Sequence, residues 1–580
     1  MRDPLHHSPE FEAEVASHAL SLRGTKLTVA LAFVTGTGFT LFGYDQGVMS
    51  SLLTAQQFEK TFPEVVVSNV HPNHATLQSL LVAIYASKLT QVDYTLVECM
   101  LQEVGCLIGA LSNLWIGDKL GRRRTIILGG VVMIIGAILQ ATSFSYAQII
   151  VARIVTGLGN GLNTSTVPAY HAECSPAAHR GSLIMIEGSL ITFGIMISYW
   201  IDFALYAFSL CFMNNKQCSR RIVIDSFWAN HSSAQWRVPI ALQIIFALIM
   251  IFTIGFLPES PRWLLKYDRP AEAMAVICAL SDKPTSDVEV QRTFHAILEA
   301  VAIEGSNPKS TDDSEPQLTG RASLRELFAG GRSQNLRRVT LGVVIQCFQQ
   351  ITGINLITYY ATLLFERLGL SDVKSRIVAA CNATEYFLAS LVAIFIIDRI
   401  GRRKLMLFGA TGQCITMVLL AVLGSINNSG SRVVSAVLLF LFNSIFAVGW
   451  LGMTWLYPAE IVGLRMRGPA NALSTASNWT WNFLVVMITG PSFQNIQWRT
   501  YIIFATLNAV IIPAVYFFFP ETAGRSLEDM DVIFALAYNE GISPVTVSLR
   551  KDLPLAGSPE ADQILGIDTS LNLSIRSEKV

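Results

Sequence analysis

Apolar residues gather along this chain in long runs, without the alternation of strands or the single stripe of surface helices. The runs 27–43, 125–144, 183–201, 238–257, 378–397, 405–424, 433–456 and 499–519 are nearly unbroken. Each approaches the roughly 20 residues that carry a helix across a hydrocarbon core. Weaker runs between them give twelve predicted spans: 27–47, one within 77–117, 125–144, 147–168, 183–203, 238–257, 338–361, 377–397, 405–424, 433–457, 469–489 and 499–519. The pattern predicts an all-α, multi-pass membrane protein with the lipid bilayer as its solvent.

The polar stretch 1–26 ends without a small-residue cleavage site, so the first run reads as a retained span after an N-terminal tail. The longest polar connector, 258–337, separates a six-helix half at 27–257 from a second at 338–519, and 520–580 forms a C-terminal tail. Basic residues cluster in alternate loops: 117–124, 179–181, the connector, 398–404 and 463–468. The positive-inside rule places these loops and both termini in the cytoplasm, most simply beneath a plasma membrane. Asn230 and Asn427 then stand in N-x-S sequons on outer loops and are glycosylation candidates.

One span breaks the pattern. "TLQSLLVAIY" (76–85) and "VGCLIGALSNLWI" (104–116) are each too short to cross, and 86–102 between them carries Lys88, Asp93 and Glu98. Removing 86–102 joins the two pieces into one full span. The segment therefore reads as an insertion, a translated unspliced intron.

Composition agrees with a membrane solvent. Of 580 residues 52% are hydrophobic and 14% charged, against about 25% charged in soluble domains. The formal net charge is zero, so no basic surface points to nucleic acid. The nine cysteines are scattered, with no metal-ligand spacing, and no metal or cofactor is predicted. No nucleophile–base constellation or phosphate-binding glycine loop appears, and an enzyme is not expected.

The chain repeats itself. "GDKLGRRR" (117–124) returns as "DRIGRRK" (398–404), "PAYHAECSPAAHRG" (168–181) as "YPAEIVGLRMRG" (457–468), and "PESPRWL" (258–264) as "PETAGRSL" (520–527). Matched pairs in matched order imply two homologous halves, an architecture that suits a central site opened alternately to either side. In the repeated loops Asp118, Arg122, Arg123, Asp398, Arg402 and Arg403 face the acids Glu173 and Glu460, each followed by an arginine, Arg180 or Arg467. Arginines at short turns can pair with carboxylates and helix C-termini, so these ten charges are expected to latch the two halves together on one face. Within the spans, Asp45 and Arg153 are opposite charges whose insertion costs about 2.5–3.5 kcal/mol each unless they pair. A carboxylate whose pKa depends on a movable arginine is the chemistry of a proton-coupled step.

The motifs "GYDQG", "DKLGRRR", "PESPRWL", "QQITGIN", "DRIGRRK" and "PETAGRSLEDM" together resemble the sugar-porter branch of the major facilitator superfamily, over about residues 26–535. "RGSLIMIEGSLITFGIMISYWID" (180–202) further resembles fungal transporters of hexoses and polyols. The resemblance implies a monomeric carrier of a monosaccharide or polyol, with protons as the driving partner through Asp45 and Arg153. It also implies cytoplasmic gating by the repeated loops. The family pattern usually has Gln where this chain has Gly188, which weakens a hexose in particular.

A sugar offers hydroxyls around an apolar ring, so its site needs hydrogen-bonding amides or hydroxyls and aromatic faces. Gln349, Gln350, Asn355 and Tyr359 supply the first, Trp455 the second, and the resemblance adds Asn478 and Asn482. On one ideal helix Gln349 and Asn355 would point roughly 120° apart; Gly353 between them is expected to break the helix and turn both inward. Two other readings stay open: an exporter of a small metabolite or drug on the same scaffold, and a sugar sensor that no longer transports.

Overall fold

The computed structural model describes residues 9–52, 94–175, 180–214, 233–305, 330–426, 428–463, 466–525, 527–550, 552–554 and 558–565, with the single positions 58, 61, 327 and 328. Helices account for every regular element, and no strand occurs among the described residues. The first six spans are Gly24–Leu52, Tyr94–Leu120, Arg122–Ala141, Tyr146–Cys174, Arg180–Asn214 and Ala234–Ile254. The seventh is split into Asn335–Ile351 and Ile354–Arg367. Asp372–Ile400 and Arg402–Ile426 follow. The tenth runs as Ser429–Phe446, a π-helical turn at Ala447–Leu451, and Met453–Ile461. Arg467–Asn495 and Thr500–Phe518 complete twelve spans in two six-helix halves.

Nine of these stand out as long and apolar among the described residues. The other three, the second, fourth and eleventh, carry more polar and small residues because they are enclosed by protein instead of lipid. Around the outside, large apolar side chains such as Phe33, Phe252, Phe395 and Phe517 are exposed, as a hydrocarbon solvent requires. The halves meet where the second span packs on the eleventh and the fifth on the eighth.

The second span differs from its expected form. Its 27-residue helix takes its first residues, Tyr94 to Gln102, from the segment read as an insertion, while 76–85 lies outside the described residues. It is joined to the fourth span by a seam of glycines. A Cβ at Gly105 would stand 2.4 Å from the Ile154 carbonyl oxygen, and one at Gly161 would stand 2.1 Å from that of Cys106. Backbones approach this closely only where side chains are missing on both helices. That approach sets Gln102 and Glu103 beside Arg153.

Outside the spans, helices Pro261–Lys266, Pro270–Ser281 and Val288–Gly305 fold in the connector. The N-terminal helix Pro9–Ser17 lays Phe11 and Val15 into their apolar cluster with Trp263, Met274 and Ile277. After the twelfth span, helix Leu527–Glu540 is held to the start of the seventh, where Arg338 pairs with Asp531 and stacks 4.3 Å from the Phe534 ring.

Candidate functional site

Two polar systems are built into the bundle. The first is duplicated at the ends of the halves. In the N-terminal half, Arg122 donates from Nε and Nη2 to both Glu173 oxygens, at 3.2 and 3.1 Å. Ser260 Oγ donates to the same carboxylate at 2.5 Å, and Glu259 accepts the backbone N–H groups of Arg122 and Arg123 at 3.0 and 3.2 Å. Burial pushes the Glu259 carboxyl above its ordinary pKa, and the backbone N–H groups of Ser260, Arg123 and Arg122 pull it back. In the C-terminal half, Arg402 donates to both Glu460 oxygens at 3.3 and 2.9 Å and to Asp398 at 3.0 Å. Thr522 Oγ1 donates to Glu460 at 2.6 Å, and Glu521 accepts the N–H groups of Arg402 and Arg403 at 2.8 and 3.1 Å.

These bonds lie within each half and brace it internally, and those named here do not join Arg122, Arg402, Glu173 or Glu460 to the other half. The reason lies in the fold: each arginine opens a span whose neighbours in the same half end in the acid. Arg123 donates to the Gly255 carbonyl, and Arg403 to that of Tyr516 at 2.7 Å. Arg467 is buried at the start of the eleventh span. The side chains of Asp118 and Arg180, and both sequon residues Asn230 and Asn427, lie outside the described residues.

The second system is central and is different in the two halves. In the N-terminal half Arg153 is fully buried, with Nη1 3.7 Å from Asp45 Oδ1. Gln102 sits between them, accepting from Arg153 Nη1 and donating to Asp45 Oδ2. Glu103, on the next residue, accepts from the Tyr359 hydroxyl of the C-terminal half at 3.0 Å.

The C-terminal half contributes amides. The seventh span breaks at Gly353, in the left-handed region with φ 96°. That is the break expected from the angular mismatch, and it lets residues on both sides of it turn inward. Asn355 Nδ2 donates to Gln350 Oε1 and, at 2.5 Å, to Asn482 Oδ1 of the eleventh span. Asn478 Nδ2 donates to Gln349 Oε1 at 2.9 Å and to Gln346 Oε1 at 2.7 Å. Gln349, Gln350, Asn355, Tyr359, Asn478 and Asn482 are all buried within the bundle, and in this conformation the amides bond chiefly to one another. Trp455 follows the π-helical turn and meets Phe39 of the first span edge-on, with ring centroids 6.0 Å apart. Phe42 and Trp479 make a second such pair across the halves at 5.4 Å.

Three residues of this centre were not singled out from the sequence. Gln346 is three and four residues from Gln349 and Gln350, so its helical spacing was the available signal. Gln102 was hidden by the reading of 86–102 as an insertion, and Glu103 by its place between that segment and the apolar piece 104–116. Conversely, two acids that do stand out in apolar spans have other partners: Glu187 is bound to His171, which also lies 3.3 Å from the Thr35 hydroxyl, and Glu385 accepts from Ser444.

A family profile described as "Sugar (and other) transporter" matches residues 31–534. The sugar transporter STL1 of Saccharomyces cerevisiae is 39% identical over 533 residues, 91% of this chain and 84% of that protein. The MFS-type transporter oryC of Aspergillus oryzae is 37% identical, covering 88% and 86% of the two chains. A solved structure of the E. coli proton:xylose symporter XylE, bound to 6-bromo-6-deoxy-D-glucose, matches with a TM-score of 0.69. It covers 88% of this chain and all of that one at 22% identity, a likeness of fold.

Proposed function

Since this chain belongs to the sugar transporter family of the major facilitator superfamily, we propose that it carries a monosaccharide or polyol across a membrane by alternating access, driven by protons. One observation carries the reading: a buried amide cluster of Gln349, Gln350, Asn355 and Asn478 lies against the Asp45–Arg153 ion pair, with Glu103 and Tyr359 between them. Amides that bond to one another in the absence of substrate can exchange those bonds for sugar hydroxyls at little net cost. The Trp455 ring offers an apolar face nearby. Protonation of Asp45 cancels its charge and loosens its hold on Arg153, so the pair can register proton loading while the amides register substrate.

In this reading the braced loops lie in the cytoplasm with both termini, in a plasma-membrane monomer. Their networks keep each half rigid while the halves rock about the central site. The proposal extends to 86–102 as an insertion. A chain without it joins Tyr85 to Glu103, loses the Gln102 bridge so that Asp45 and Arg153 must pair directly, and is expected to retain uptake of the parent's substrate; abolished uptake would reject the insertion.

The test of the whole reading is uptake of radiolabelled sugars and polyols in transporter-deficient yeast at two external pH values, with Asp45→Asn beside the parent. Uptake that rises on acidification in the parent and ignores pH in Asp45→Asn supports it. A parent at the cell surface that takes up no panel member refutes carriage, and parent uptake indifferent to pH refutes coupling.

A further inference from the structure

The carboxyl group of Glu103 is an expensive thing to bury, and its packing does not explain it. It is 3% exposed, on a helix held by the glycine seam against the fourth span. A buried charge without compensating bonds is normally replaced by an apolar residue at no loss of stability. One oxygen, Oε1, accepts from the Tyr359 hydroxyl across the half interface. The other, Oε2, is fully enclosed and has no hydrogen-bond partner among the described residues. Asn482, which accepts from Asn355, stands close enough to interact with the same carboxyl group.

The surroundings make that orphaned oxygen specific. The amides of the C-terminal half bond one another: Asn355 serves Gln350 and Asn482, and Asn478 serves Gln349 and Gln346. Asp45 and Arg153 are joined through Gln102. Where these two networks meet, an acceptor is left over. A carboxylate is acceptor-only, with about four lone-pair sites on two oxygens, so it can take two neighbouring O–H donors while keeping the bond from Tyr359. Bonds of this kind are charge-assisted and roughly twice as strong as those between neutral groups.

We propose that Glu103 is a substrate-contacting, specificity-determining residue whose carboxylate accepts hydrogen bonds from adjacent hydroxyls of the carried sugar or polyol. The inference rests on the carrier reading above and narrows it to substrates with a vicinal diol at the end that faces the second span. It also places one substrate group next to the ion pair, so binding and proton loading meet at a single pair of residues, Gln102 and Glu103. Glu103 lies one residue beyond 86–102 and is present whether or not that segment is retained.

The test uses the purified full-length chain in lipid nanodiscs, with titration calorimetry on D-glucose, D-xylose and xylitol and on their monodeoxy counterparts. Glu103→Gln keeps an oxygen that can accept from Tyr359 but removes the charge. It is expected to weaken binding of the diol-bearing probe by about tenfold or more while leaving the matching deoxy probe within about twofold. A purely structural role would weaken both probes alike, or neither, and either result overturns the assignment. Should Glu103→Gln fail to purify as a folded protein, Glu103→Asp is judged by the same criterion. It withdraws the charge by one methylene group, and equal losses on both probes again overturn the proposal. If the parent binds none of the probes, the carrier reading falls and the inference with it; if the parent binds and the variants do not discriminate, only the inference falls.

Discussion

At their ends the two halves of the chain repeat one device almost bond for bond. Arg122, Glu173, Ser260 and Glu259 in the first have their counterparts in Arg402, Glu460, Thr522 and Glu521 in the second. Tyr170 and Tyr457 even donate to equivalent proline carbonyls, at Pro258 and Pro520. At mid-helix the likeness stops. The first half keeps its inner spans continuous, Gly24–Leu52 and Tyr146–Cys174, and equips them with charge. The second breaks the corresponding spans, at Gly353 in the seventh and at the π-helical turn in the tenth, and equips them with amides. Duplicated parts that stay alike are doing the same mechanical work in both places. Those that differ mark where the work has been divided, between sensing charge and holding hydroxyls.

The comparison can be broken most severely at Arg153. Removing a buried ion's partner costs about 3–5 kcal/mol, so Arg153→Ala is expected to lose transport and most surface abundance. Adding Asp45→Asn should recover abundance, but not pH-dependent uptake, in a fluorescence-detected chromatography and uptake assay. Abundance equal to the parent in the single variant would mean the charges are not enclosed together. A smaller loss is expected for the amide side: Asn355→Ala should raise apparent KM about tenfold or more with surface abundance within about twofold, and unchanged KM would remove Asn355 from the site.

Gly353→Ala probes the broken span. A left-handed φ and a Cβ only 3.0 Å from Met417 and Phe504 atoms predict a loss of about 1–3 kcal/mol, read as a lower melting temperature in detergent. No change would mean the break is not enforced there. The smallest effects test equivalence: Arg122→Lys and Arg402→Lys each forfeit a two-pronged carboxylate contact and should lower the melting temperature by matching amounts. A loss in one half alone would end the claim that both are braced alike.

Much of this was readable from residue order. Long apolar runs marked most spans to within a few residues, because lipid leaves helices few alternatives. The break at Gly353 followed from asking how Gln349 and Asn355 could share a cavity. Gln102 and Glu103 were less legible, because a helix enclosed by protein can be polar and apolar length alone passes over such residues. For the bonds within each half the repetition held the clue: a unit that occurs twice, with its acid and its arginine both inside the repeat, is free to close on itself. The π-helical turn before Trp455 left no mark in the pattern of residues, although Gly449 within it lies against Gly409 of the ninth span.

The glycine seam between the second and fourth spans has a metric consequence. With no side chains between the facing backbones the two helices sit in close contact, and Glu103, Gln102 and Arg153 all belong to one half. One adjustable distance at the centre is then that from Glu103 to Tyr359, which crosses from one half to the other. A pair of spectroscopic probes flanking that gap would serve as a ruler for the whole transport cycle.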